Sequence, residues 1–173
     1  MLQPLNQETR PPLSMKWVTR EKAKVDRIAC PWLIARFVDN PAEFLFVPAD
    51  QVLKVAKEKG AVSFDAPGAE LTHYREDGYE YVSFDAIIRK YKLSDPALLE
   101  LAKIVRSADA ELPDAVPEGA GLEAAALGFR KITKDDHENM KLQFPLYDAL
   151  YAYCKWKVEQ GGRLEHAQQP QVA

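Results

Sequence analysis

Short strand-like runs are confined to the first 74 residues, and from Ser83 onward every patterned run has helical spacing. "MKWVT" (15–19), "EFLFV" (43–47), "AVSFD" (61–65) and "ELTHY" (70–74) read as strands, the last two parted by the turn signal "APG". "ADQVLKVAKEKG" (49–60) reads as a helix stopped by Gly60. Later come "SFDAIIRKYKL", "DPALLELAKIVRSAD", "AGLEAAALGF" and a long run over 134–158 that holds Pro145. In "DPALLELAKIVRSAD", Asp95 can cap and Pro96 takes the first helical position, where its missing N–H does no harm. Strands first and helices afterwards predict an α+β chain, helix-rich, with a small sheet formed mainly by the N-terminal half. Its 173 residues suit one ordinary domain. The polar, proline-rich stretch 1–14 predicts a disordered arm and 159–173 a flexible tail, around a body at 15–158.

A net charge of -3 and a pI near 5.7 argue against a broad basic face, so direct nucleic-acid binding is not expected. No run reaches the roughly 18 apolar residues of a membrane span, and the first residues lack a signal-peptide core. A cytoplasmic location is the expectation. Cys30 and Cys154 are too few for a disulfide framework, and no phosphate-loop or dinucleotide glycine fingerprint occurs. The remaining partner class is a small molecule or oxyanion, with homo-oligomerisation left open.

The stretch "VDRIACPWLIARFVD" (25–39) sets Cys30, Leu33, Ile34 and Phe37 on one helical face, with Asp26 a turn earlier on the same side. Pro31 cannot donate to the carbonyl four residues back, so the regular helix is expected to begin at Pro31, with Cys30 near its cap. A thiol there would have its pKa lowered by the helix dipole and by Arg27. Arg20, Lys22, Lys24 and Arg27 cluster ahead of this helix, a recipe for holding an oxyanion, although a solvated patch is the plainer reading. Arg27 and Trp32 are taken as ligand-binding candidates, and Asp26, Cys30 and Tyr147 as catalytic ones.

Polar residues also interrupt the apolar faces of later helices. His137, Met140, Phe144, Tyr147, Tyr151, Cys154 and Val158 form one seam, which points His137 inward. Thr133 with Asp136 reads as a capping box. Asp109 ends the stripe of Leu98, Ala102 and Val105 at the wrong end of the dipole, where either Arg106 or a metal must compensate. Glu70 and His73 would face opposite sides of a regular strand unless a bend beside Gly68 brings them together. The candidate metal ligands are Glu70, His73, Asp109 and His137. Two histidines with a carboxylate suit a divalent ion, iron, manganese or zinc.

"TREKAKVDRIACPWLIARFVDNPAEFLFVPAD", "FDAPGAELTHY", "SFDAIIRKYKLSDPALLELAKIVRSAD" and "DDHENMKLQFPLYDALYAYCK" together resemble the chromate resistance protein B family, in its C-terminal, chromate-responsive domain. The resemblance covers roughly residues 15 to 157. Longer members carry a winged-helix-like DNA-binding segment ahead of this domain and regulate chromate efflux. Here only a polar arm precedes the match, so the expectation is a stand-alone domain and not a repressor. The resemblance implies a role in the response to chromate or a related oxyanion, with a metal-dependent lyase or oxidoreductase as the alternative. It draws attention to Asp26, Arg27, Cys30, Glu70, His73, Asp109 and His137 without assigning their roles.

Overall fold

The computed structural model describes residues 15–168, with side chains as far as residue 162. The expected arm at 1–14 and the last five residues of the expected tail lie outside the described residues. Three parallel strands form the sheet: β1 (Lys16–Arg20), β2 (Glu43–Val47) and β3 (Val62–Ser63), in the order β2–β1–β3. Parallel neighbours need crossovers. The first is α1 (Asp26–Leu33), continued by a π-helical turn over Ile34–Val38, and the second is α2 (Val52–Lys59). The two crossovers cover opposite faces. Trp17 of β1 packs into the main core with Ile28, Trp32 and Leu33, whereas Val18 faces Val52, Ala66 and Ala69 on the other side. β1 therefore reads as a buried run on both faces, as a central parallel strand should.

A two-stranded hairpin follows, β4 (Tyr74–Glu76) and β5 (Tyr79–Tyr81), turned by Asp77 and Gly78 at φ 51° and 77°. Both residues lie in the left-handed region that a two-residue hairpin turn requires. The rest is helical: α3 (Ser83–Lys90), α4 (Pro96–Asp109), α5 (Pro117–Ile132) and α6 (Asp136–Gln168). The α+β expectation holds, with the sheet built from the N-terminal half. None of the described helices is long and apolar enough to cross a membrane.

Four local expectations are corrected. The helix of the opening stretch starts at Asp26, not Pro31, and Cys30 sits in its second turn. "ELTHY" is not a strand of its own: Leu71 makes an isolated bridge to Phe64, and Tyr74 begins β4. α6 runs through Gly161 and Gly162 to Gln168, past the expected end of the body at 158. Its buried face carries Asn139, Gln143, Tyr147 and Cys154, so the seam lies one position away from His137 and Met140 at its start. Inside, Gln143 Nε2 donates to Asn139 Oδ1 at 2.6 Å and Asn139 Nδ2 donates to the Ala23 carbonyl, while Gln143 Oε1 is buried without a partner among the described residues.

Helices α4 and α5 approach closely at Gly119, where an added Cβ would stand 2.5 Å from Ser107 Cβ and 2.7 Å from its carbonyl carbon. Because a backbone atom cannot step aside, Gly119→Ala is expected to cost about 2 kcal/mol, a fall in Tm of roughly 4–8 °C. An unchanged melting curve would show that the two helices lie further apart.

Candidate functional site at the carboxyl ends of the sheet

In an open α/β sheet whose crossovers lie on opposite faces, ligands bind in the crevice at the carboxyl ends of the strands, where the order reverses. Here that crevice lies beyond β1 and β3, and the chain puts charged residues into it from both. Arg20 ends β1, Asp26 and Arg27 open α1, and Asp65 follows β3 in a left-handed backbone conformation (φ 45°). His73 enters from the segment before the hairpin and Asp109 from the last residue of α4.

Asp26 is buried, and its carboxylate is spent on another helix. Its two oxygens accept the Ser83 N–H at 2.7 Å and the Phe84 N–H at 3.1 Å, and the Cys30 thiol donates to it at 3.3 Å. These are the first amides of α3, which lack partners within their own helix. Asp26 thus caps α3 from a distance, and a negative charge at a helix N-terminus suits its dipole.

His73 completes the constellation. Its Nε2 faces Asp65 at 3.2 Å, Asp109 at 3.3 Å and Asp26 at 3.4 Å, while Nδ1 is 3.8 Å from Glu80. The other side of Asp65 faces Arg20 Nη2 at 3.5 Å and Arg27 Nε at 3.8 Å, and Ser83 Oγ donates to it at 2.9 Å. One ligand atom each from Asp26, His73 and Asp109 lies within 4.8 Å of the other two. One imidazole nitrogen thus stands against three carboxylates, two of which, Asp26 and Asp65, also accept other donors.

The charges shift one another. Burial, and then the neighbouring Asp65 and Asp109, push Asp26 up to about 7 against the pull of His73. Burial acts on Asp65 in the same sense, but His73, Arg27 and Ser83 outweigh it and hold that carboxyl below its ordinary value. Asp109, Asp26 and Asp65 push His73 up to about 12.

These directions fix a pH dependence. A histidine raised from about 6.5 contributes stability below that pH and loses it as pH climbs toward the folded value. A carboxyl raised above about 3.8 binds its proton more tightly when folded, so its contribution also falls as pH rises, up to about 7. With a chelator present, the urea midpoint is expected to decline between pH 6.5 and 9, and to decline less in His73→Gln. Equal slopes in parent and variant would show that the folded protein does not hold His73 protonated.

The remaining candidates go elsewhere. Cys30 and Tyr147 are fully buried, and burial pushes both pKa values up, so the thiol is not activated as expected for a helix cap. Tyr147 donates to the Val25 carbonyl at 3.3 Å. Trp32 lies in an aromatic cluster with Phe37, Tyr147 and Tyr151, its indole N–H given to Asp148 at 2.8 Å, which removes it from the crevice. Glu70 is exposed and pairs with Lys90. His137 is exposed, not inward, and sits edge-on to Phe46 with ring centroids 5.2 Å apart. Arg106 does not answer Asp109, since it pairs with Asp85. The capping box of Thr133 and Asp136 does not form either. Asp135 caps α6 through the Glu138 N–H, and Asp136 accepts the amides of Lys22 and Ala23.

A family model for the C-terminal domain of ChrB matches residues 17–154, which takes in every residue of this crevice. The chain belongs to the ChrB C-terminal domain family. Protein ChrB of Cupriavidus metallidurans (strain ATCC 43123 / DSM 2839 / NBRC 102507 / CH34) is 32% identical over 139 residues, 80% of this chain. Those residues span 40% of the length of that ChrB protein. No solved structure matches the chain. Within the ChrB domain, the residue that sequence reasoning missed is Asp65. Its signal was a carboxylate directly after a parallel strand and before a turn, at the end of the sheet where sites form.

Proposed function

We propose that this ChrB-type domain binds a divalent metal ion through Asp26, His73 and Asp109, and that the metal, with Arg20 and Arg27 beside it, takes up a small oxyanion of the chromate class. The observation that carries this reading is one imidazole nitrogen set against three carboxylates. A cation in place of the Nε2 proton would satisfy them together. Two carboxylates and one imidazole form a harder donor set than the two histidines expected from sequence, which favours Mn(II) or Fe(II) over Zn(II). Three protein ligands leave positions open for water or an oxyanion. Arg20 and Arg27, turned toward Asp65, supply the charge-assisted donors that an oxyanion needs. Membership of the chromate-resistance family supports the choice of chromate. A cytoplasmic setting fits the two buried free thiols, Cys30 and Cys154.

A second reading, a metal-dependent lyase or oxidoreductase on a small molecule, draws on Asp26. A buried carboxyl near neutrality beside open metal positions is suited to passing a proton. Equilibrium dialysis separates the two. The first reading expects about one Mn(II) or Zn(II) per chain. It also expects chromate to be retained only by the metal-loaded protein, and roughly tenfold more weakly by Arg27→Gln. Chromate is offered to these two forms because it would oxidise Fe(II). Metal uptake with no retention of chromate would favour the enzyme, and no uptake of any of the three ions would overturn both.

A further inference from the structure

On the other side of the β1–α1 loop lies a groove of about 770 Å³ whose lining includes neither Asp26, His73 nor Asp109. Phe46 from β2 and Leu127 from α5 give it an apolar floor. Arg130, Lys131 and Lys134 from the α5–α6 junction and Lys22 from the loop give it cations. His137 stands at its wall against Phe46.

The cations are unanswered. Six other arginines with described side chains each have a carboxylate within 4.0 Å: Arg20, Arg27, Arg36, Arg75, Arg89 and Arg106. Among the described residues Arg130 has none, and neither do Lys22, Lys131 or Lys134. Three acids also line the groove, and two of them are held in place by backbone amides. Asp135 takes the Glu138 amide, and both oxygens of Asp136 take the amides of Lys22 and Ala23. Four cations thus stand against three carboxylates in the lining, an excess of one positive charge. The charge of Arg130 also reaches Arg27, whose pKa is lowered by burial and by the neighbouring charges of Arg20 and Arg130.

An unpaired guanidinium beside two lysines and above an apolar floor matches a ligand with an anionic head and an apolar body. We infer that this groove is a second binding site, for a small phosphate ester, with the phosphate on Arg130, Lys131 and Lys134 and the organic group on Phe46 and Leu127. Arg is suited to the head because its planar fork meets two phosphate oxygens at once. The exposed ring of His137, which takes no part in the metal constellation, adds a further donor.

The test is an amide and imidazole NMR titration of the full chain with phenyl phosphate, inorganic phosphate and benzyl alcohol. Phenyl phosphate is expected to give saturable shifts at Phe46, Leu127, Arg130 and His137. Inorganic phosphate and benzyl alcohol, each offering half of the chemistry, should bind at least about tenfold more weakly. Arg130→Gln, whose exposed position leaves the fold intact by circular dichroism, should raise the phenyl phosphate Kd roughly tenfold. The affinity should be the same with a chelator as with Zn(II), which separates this site from the metal reading. Absent or non-saturating shifts, shifts undiminished in Arg130→Gln, or shifts centred on Asp26 and His73 would each overturn it.

Discussion

His73→Ala is expected to strip the domain of its metal, from about one equivalent per chain to less than a tenth, with affinity down at least a hundredfold. The large effect follows from geometry, because His73 supplies the only nitrogen among the three ligand atoms within 4.8 Å of one another. His137→Ala should leave metal content unchanged, since that ring is exposed beside Phe46. Without metal, His73→Ala also removes the cation that three carboxylates face. Its side chain is one-third exposed, so solvent screens part of the loss, which should be about 2 kcal/mol in urea at pH 7 with a chelator. His73→Lys separates charge from ligation, and should recover part of that stability without recovering the metal. Equal metal content in His73→Ala and the parent would sink the proposed centre.

Asp26→Ala should be the most destabilising single change in the crevice, at about 3 kcal/mol. It orphans the Ser83 and Phe84 amides at the buried start of α3 and opens a small cavity beside Cys30. Asp26→Asn keeps one acceptor oxygen and removes a charge that burial disfavours, so it should cost only about 1 kcal/mol, least above pH 7. Both variants should fail to hold metal. The measurements are urea midpoints and amide exchange at Ser83 and Phe84, which should quicken in the alanine variant alone. If the two substitutions cost the same, the carboxylate does not act as the cap of α3.

What was legible in the sequence follows from where local chemistry decides. Asp95 caps α4 through the Ala97 amide, "EFLFV" is β2 without adjustment, and Gly60 closes α2 at φ 61°. Each is settled by neighbours in the chain. Asp26, His73 and Asp109 could be singled out as polar intruders on apolar patterns, but the pattern could not say which partners met. Arg106 was the nearest cation to Asp109 in sequence, yet Asp85, 21 residues away, takes it. His137 reads as inward because it heads the seam of Met140, Phe144 and Tyr147, whereas the buried face starts at Asn139 and Gln143, held by a hydrogen bond between them and one to the Ala23 carbonyl. The hairpin of β4 and β5 went unread, although "EDGY" carries a two-residue turn signal.

Helix α6 also sets when the crevice can exist. Asp136 takes the amides of Lys22 and Ala23, Asn139 donates to the Ala23 carbonyl, and Tyr147 donates to that of Val25, across 113 to 122 residues of chain. The loop that presents Asp26 and Arg27 is fastened by residues made more than a hundred positions after it. Domains generally fold as units as the chain emerges, so this loop stays unanchored until α6 arrives. The proposed ligand capture would then report a finished domain, and partly made chains would not hold the proposed metal.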